Sequence, residues 1–128
     1  MKCFFFDRDG VLIKNYGYFC DKDKIKWLIG AIEAIKLLNK LNIKVVVVTN
    51  QSGVARGYFS EKKLKSFHKH MNTILLKNKA KIDHFYYCPY HPKGIIKKYK
   101  KKSKFRKPAN GMLLSAIKKF KIHRSDCF

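Results

Sequence analysis

CFFFDRDGVL, Cys3 to Leu12, carries the reading of the whole chain. Cys3 to Phe6 is aromatic, uncharged and β-prone, which predicts a buried strand. Gly10 then bends the chain where a side chain would obstruct it. Residues two apart in an extended segment point the same way, so Asp7 and Asp9 project together from the end of that strand. Such a pair suits attack on phosphorus by one carboxylate and proton handling by the other, with a divalent cation offsetting the charge. Two blander readings compete. One is an acidic solvated turn, which sits badly with a chain holding only 8 Asp and Glu in 128 residues. The other is a calcium loop, but aromatic strand residues replace its entering helix and no glutamate lies near its end.

Composition bounds the rest. A chain of 128 residues at 46% hydrophobic content can hold one core and is too short for two. No apolar run reaches the ~18 residues of a membrane span, and the N-terminus enters a strand at once, without a signal peptide. Cys3, Cys20, Cys88 and Cys127 lack paired spacing, so a reduced, cytoplasmic protein is expected. The formal net charge is +22. The run Lys97 to Lys107, KKYKKKSKFRK, with Tyr99 and Phe105 interleaved, is the candidate nucleic-acid patch. Arginine, however, occurs only at Arg8, Arg56, Arg106 and Arg124, and lysine is spread through every predicted helix. A general lysine bias explains that better than a groove, leaving nonspecific charge contacts at low salt.

Strands alternate with helices along the chain. Gly30 to Leu41 carries Ile32, Ile35, Leu38 and Leu41 at helical spacing, and Asn42 closes it. Ile43 to Val48 is an apolar β-branched strand. Ser60 is a good N-cap for a helix with Leu64, Phe67, Met71, Ile74 and Leu75 on one face. Phe85 to Cys88 predicts a third strand. Gly111 to Lys121 predicts a last helix with Leu114, Ile117 and Phe120 inward. This order predicts a parallel sheet with helices on both sides and ligands at the carboxyl ends of the strands, where Asp7, Asp9 and Thr49 fall.

FFDRDGVL resembles the first motif of the haloacid-dehalogenase-type phosphohydrolases. TNQSGVARGYF, Thr49 to Phe59, then YYCPYHPKG, Tyr86 to Gly94, and FRKPANGMLL, Phe105 to Leu114, follow in order. Together they are similar to the heptose bisphosphate phosphatases of lipopolysaccharide core synthesis and the related histidinol phosphatases. The resemblance implies an α/β, Rossmann-like three-layer fold in a single domain, 1-128. It implies a magnesium-dependent phosphatase releasing the 7-phosphate of D-glycero-D-manno-heptose 1,7-bisphosphate, a small phosphorylated sugar. Histidinol phosphate is the alternative substrate, and a basic phosphate- or nucleic-acid-binding remnant the noncatalytic alternative. Asp7 is the implied nucleophile and Asp9 the acid and base, with the Asp7 carboxylate and the Asp9 carbonyl toward magnesium. Thr49 and Lys107 would stabilise the transferring phosphoryl group. Asn50, Gln51 and Ser52, with Asn15, Tyr16, Gly17 and Tyr18, match sugar phosphate contacts, and Arg106 matches the residue holding the second phosphate. Asn15 and Tyr16 stand where the family often has aspartate and histidine, which puts the sugar preference in question.

Two departures stand out. Relatives carry a Cys-x-His pair and a Cys-x-Cys pair for zinc. Here Cys88 survives, but Tyr90, Ser103 and Phe105 occupy the other positions, so no structural zinc is expected and the loop from Pro89 to Lys104 must be ordered by packing or stay mobile. Relatives also continue into a further strand and a glycine-aspartate motif whose carboxylate binds magnesium, whereas this sequence reaches Phe128 where that strand begins. The expectation is thus a domain lacking its C-terminal strands, with an open apolar edge on the first strand. It would be weakly active and prone to self-association, or completed by a complementing chain.

Overall fold

The aromatic tetrapeptide before Asp7 forms strand β1 (Cys3–Phe6), as its composition predicts. The computed structural model describes residues 1–128. β1 pairs in parallel with β2 (Lys44–Asn50), and β2 with β3 (His84–Cys88), giving the order β1-β2-β3. The register sets Phe6 against Val47 and Thr49 against Tyr87, so the three strands end near one another. Helices α1 (Ala31–Lys40) and α2 (Glu61–Lys77) make the crossovers, and α3 (Gly111–Phe120) follows β3.

The four valines of β2 explain the layering. Val45 and Val47 face Ile35 of α1 and Leu64, Phe67, Met71 and Leu75 of α2. Val46 and Val48 face the opposite way, onto Met112 and Ala116 of α3, Ile122, Cys3 and Cys88. A strand buried on both faces reads as an unbroken apolar run rather than an alternation. The result is the three-layer α/β arrangement that the strand and helix order predicts. Ser60 caps α2 by accepting from the Lys63 N–H at 3.1 Å.

Four expectations need adjusting. β2 runs on to Asn50, so Thr49 and Asn50 are strand residues paired with β3 rather than loop residues. The inward stripe of α3 is Met112 and Ala116 with Phe120 partly buried, while Leu114 is exposed. Leu114 lies two residues, about 200°, from Met112 on the helix wheel, so both cannot face the sheet. Leu41 is likewise exposed, since it lies just past α1 as its C-cap. Finally, the outer edge of β1 is partly covered. After a 3₁₀ turn at Arg124–Asp126, Cys127 bridges Cys3 in parallel. Phe128 donates its N–H to the Cys3 carbonyl at 3.0 Å and accepts from the Phe5 N–H at 2.9 Å.

Candidate active site

β1 delivers Asp7 and Asp9 to the carboxyl end of the sheet, and Gly10, at φ 79°, makes the turn that follows. A left-handed φ there suits glycine. Asp7 stays half exposed. Its Oδ1 accepts the Arg8 N–H at 2.8 Å, and its Oδ2 lies 3.0 Å from Nζ of Lys107, across the sheet in the loop before α3. The sequence-predicted nucleophile and phosphoryl-binding lysine are therefore adjacent, although 100 residues separate them.

Asp9 is held from behind. Arg8 Nε donates to its Oδ1 at 2.9 Å and Arg8 Nη2 to its Oδ2 at 3.1 Å, a fork across both oxygens. Gln51 Nε2 donates to Oδ2 at 3.1 Å and to Thr49 Oγ1 at 2.9 Å. A carboxylate offers about four lone-pair sites, so Oδ1 keeps one free for a reacting group. Arg8 itself is fully buried, with 0% exposure. Its guanidinium carbon lies 4.8 Å from the Phe67 ring centre and 5.6 Å from that of Phe19, and Nη1 is 3.1 Å from His68 Nε2. Arginine can only donate, so Nε2 accepts and the His68 ring proton sits on Nδ1. Burial, then the Arg8 charge, holds His68 well below its ordinary value. Its ring stacks on Phe85 at 4.4 Å. A buried cation needs such company, because an unpaired one costs several kcal/mol.

Asn50 plays a part that motif matching did not give it. Its Oδ1 accepts the Lys107 N–H at 2.9 Å and its Nδ2 donates to the Lys107 carbonyl at 3.2 Å. The side chain thus clamps the main chain that carries the lysine. Thr49 is buried, its hydroxyl accepting from Gln51 and lying 3.5 Å from the Asn50 carbonyl. Ser52 is buried beside Arg56, whose Nε is 3.5 Å from the Ser52 hydroxyl. Asp9, Asn15, Gly17, Tyr18, Asn50, Gln51 and Ser52 line one cleft of about 200 Å³. Tyr16 is outside that lining: it packs edge-on against Phe19 at 5.2 Å, under the Lys14 ammonium. Arg106 is half-buried, with no side-chain hydrogen bond to the chain. A larger hollow of about 360 Å³ lies at Met1, Asn39, Lys44, Lys81 and Asp83, where both lysines neutralise the carboxylate. It gathers none of the motif residues.

The site's donors suit magnesium. The Asp7 carboxylate is accessible, and the Asp9 main-chain carbonyl accepts no hydrogen bond from the chain. Magnesium takes hard oxygens, commonly one or two from protein, with waters and substrate phosphate completing the octahedron. Zinc does not fit its loop. Cys88 is buried with its thiol 3.9 Å from the Tyr90 carbonyl, and Tyr90, Ser103 and Phe105 at the other ligand positions supply no thiolate or imidazole.

Packing orders the loop instead. Tyr87 and Tyr99 donate their hydroxyls to the two oxygens of Glu61, each at 2.8 Å, tying β3 and the loop to the first turn of α2. Burial raises Glu61, but these two bonds and the charges of Lys65 and Lys98 outweigh it and leave the carboxyl below its ordinary value. Ile95 and Ile96 donate their N–H groups to the Ala55 carbonyl at 2.8 and 2.9 Å. Gly94 permits this approach: a Cβ there would stand 2.7 Å from that of Ala55. Sequence reasoning missed Arg8, His68 and Glu61 as site-building residues. The arginine between two aspartates was the one visible signal.

The family model described as polynucleotide kinase 3 phosphatase matches residues 2–127. The D-glycero-beta-D-manno-heptose-1,7-bisphosphate 7-phosphatase of Haemophilus influenzae is 45% identical over 121 residues, covering 94% of this chain and 65% of that protein. The enzyme of the same name from Pasteurella multocida is 40% identical over 127 residues, 99% of this chain and 68% of its own length. The crystal structure of D,D-heptose 1,7-bisphosphate phosphatase from B. bronchiseptica, complexed with magnesium and phosphate, superposes with a TM-score of 0.83 at 31% identity, over 95% of this chain and 65% of that one. The chain thus spans roughly two thirds of the length of these relatives, and it belongs to the polynucleotide kinase 3 phosphatase family of haloacid-dehalogenase-like phosphatases.

Proposed function

We propose that this domain hydrolyses a phosphate monoester through an aspartyl phosphate, with the 7-phosphate of D-glycero-β-D-manno-heptose 1,7-bisphosphate as the group released. The carrying observation is the 3.0 Å pair between Asp7 and Lys107 beside an Asp9 fixed by Arg8 and Gln51. The names of the relatives support the choice of sugar. Lys107 leaves Asp7 for the incoming phosphate and neutralises charge on its oxygens. The Asp7 carboxylate oxygen forms the new bond to phosphorus as the bond to the sugar oxygen breaks. Asp9 gives its proton to that leaving oxygen. Asp9 then takes a proton from water as the water oxygen bonds to phosphorus and the Asp7 bond breaks. Arg8 and Gln51 keep Asp9 in one orientation through both steps. The Asp7 carboxylate and the Asp9 carbonyl would hold magnesium, which would supply charge neutralisation for the phosphoryl group.

The test is phosphate release by the purified chain from the heptose bisphosphate and from histidinol phosphate, side by side. Preference for the bisphosphate, abolished in Asp7→Asn, supports the reading. Preference for histidinol phosphate replaces the substrate, and release unchanged in Asp7→Asn overturns the mechanism.

A further inference from the structure

The four cysteines have no paired spacing in the sequence, but the fold pairs two of them in space. Cys127 lies in parallel register beside Cys3 on the outer edge of β1. Neighbouring strands run about 4.8 Å apart, and a disulfide joins residues whose Cα atoms are about 4.4–6.8 Å apart. The next residue fixes the register: Phe128 donates to the Cys3 carbonyl and accepts from the Phe5 N–H.

Both side chains face the same layer. Cys3 is fully buried among Val46, Met112 and Ile122, and Cys127 packs against that same cluster. Each thiol feels the other: burial, then the charge of Cys127, pushes Cys3 up to about 11. Cys127 is only half-buried, so a reagent in solvent reaches it first. The other two cysteines are poor partners. Cys20 belongs to the core on the opposite face of the sheet, with Ile35 and Phe67. Cys88 shares the Cys3 face, but it pairs with Asn50 of β2 whereas Cys3 pairs with Lys44. Those positions lie about 20 Å apart along the strand.

We propose that Cys3 and Cys127 form a reversible disulfide on exposure to a low-molecular-weight disulfide such as oxidised glutathione, stapling residues 124–128 to the edge of β1. The Cys127 thiolate attacks one sulfur of the reagent, forming a mixed disulfide and expelling one glutathione thiolate. The Cys3 thiolate then attacks the Cys127 sulfur, and the second glutathione leaves. Two protein thiols are oxidised, one glutathione disulfide is reduced, and both protons pass to the departing thiolates. A buried thiol is a slow nucleophile, so the second step depends on proximity rather than on reactivity. Cys127 is raised as well, by burial and then by Asp126.

The experiment treats the folded full chain with oxidised glutathione at about pH 8.5, where the thiolate fraction is larger. Remaining thiols are alkylated and the chain is mapped by mass spectrometry. Trypsin cuts after Lys2, Arg8 and Arg124, which gives a peptide from Cys3 to Arg8 and another beginning at Ser125. We expect these two joined, two hydrogens lighter than their sum and without glutathione, and separated again by dithiothreitol. Cys88→Ser should give the parent yield, and Cys127→Ser none. Amide exchange at Phe5 and Phe128 should slow by about tenfold or more in the oxidised chain. Glutathione left on Cys127 as the end product overturns the proposal. So does a link between any other two cysteines, a link formed only in denaturant, or all four thiols still free. None of these readouts needs turnover, so the proposal stands or falls apart from the phosphatase reading.

Discussion

The two walls of the candidate site are built in opposite ways. Behind Asp9 the wall is buried and charged: Arg8 at 0% exposure, with a carboxylate on one side and a neutral histidine on the other. Opposite stands the lysine-rich loop that carries Arg106 and Lys107, held at its base by two phenols on one glutamate and by the Asn50 amide on the Lys107 main chain. The first wall cannot lose a member without leaving a desolvated charge. The second is a set of neutral or solvent-screened contacts that can loosen one at a time. Charge buried for geometry couples chemistry to stability, whereas a loop pinned at its base can change its positioning with the fold intact.

The largest effect is expected at Asp7. Asp7→Asn should lower phosphate release by at least about 10³-fold, since an amide forms no acyl phosphate, while thermal unfolding stays close to parent because Asp7 is half exposed. Arg8→Met should do both kinds of damage. Removing one partner of a buried pair costs about 3–5 kcal/mol, visible as a large drop in denaturation midpoint, and Asp9 loses its orientation. Arg8→Lys keeps the charge but not the fork, so it should recover part of the stability and little of the rate. A parent-like midpoint in Arg8→Met would show that the inner wall is not built on that pair.

The outer wall predicts a local effect. Tyr99→Phe removes one bond to Glu61 and should cost about 1–2 kcal/mol, read as faster amide exchange in residues 89–104 with the sheet amides unchanged. Uniform acceleration across the chain would mean the loop is part of the inner core after all. Acid weakens both walls, but in different pH windows. His68 is depressed well below 6.5 in the fold, so its contribution is intact above that pH and is lost as pH falls toward the folded value, by at most about 1.4 kcal/mol per unit. Glu61 is depressed below 4.5, so the clasp holds above that pH and weakens only beneath it. Denaturant titrations from pH 7 to 5 should therefore show falling stability, flattened in His68→Gln, whose amide oxygen can still accept from Arg8. His84, also depressed by burial and Lys119, leaves a residual slope.

Much of the fold was legible in local pattern. The aromatic run before Asp7 and the four valines before Thr49 gave β1 and β2, because strand cores buried on both faces need no alternation to be read. Asp7, Asp9 and Lys107 were singled out by motifs, and the fold brings them to one end of the sheet. The supporting residues were not. Arg8 lies between two aspartates and reads as a solvated ion pair; its burial depends on Phe67 and His68, placed 59 and 60 positions later by the pitch of α2. Glu61, Tyr87 and Tyr99 sit on three elements, and no periodicity links them. Leu114 was misplaced because helical spacing fixes a stripe, and only the sheet decides which stripe faces in.

In the proposed mechanism Asp7 carries the phosphoryl group while the buried Arg8 wall holds Asp9 for proton transfer. Rapid acid quench of the chain turning over heptose 1,7-bisphosphate, followed by peptide mass spectrometry, tests it most directly. The account predicts one alkali-labile phosphoryl group on the peptide containing Asp7, absent in Asp7→Asn. Turnover with no phosphoryl group on that peptide, or with the group on another residue, would contradict it.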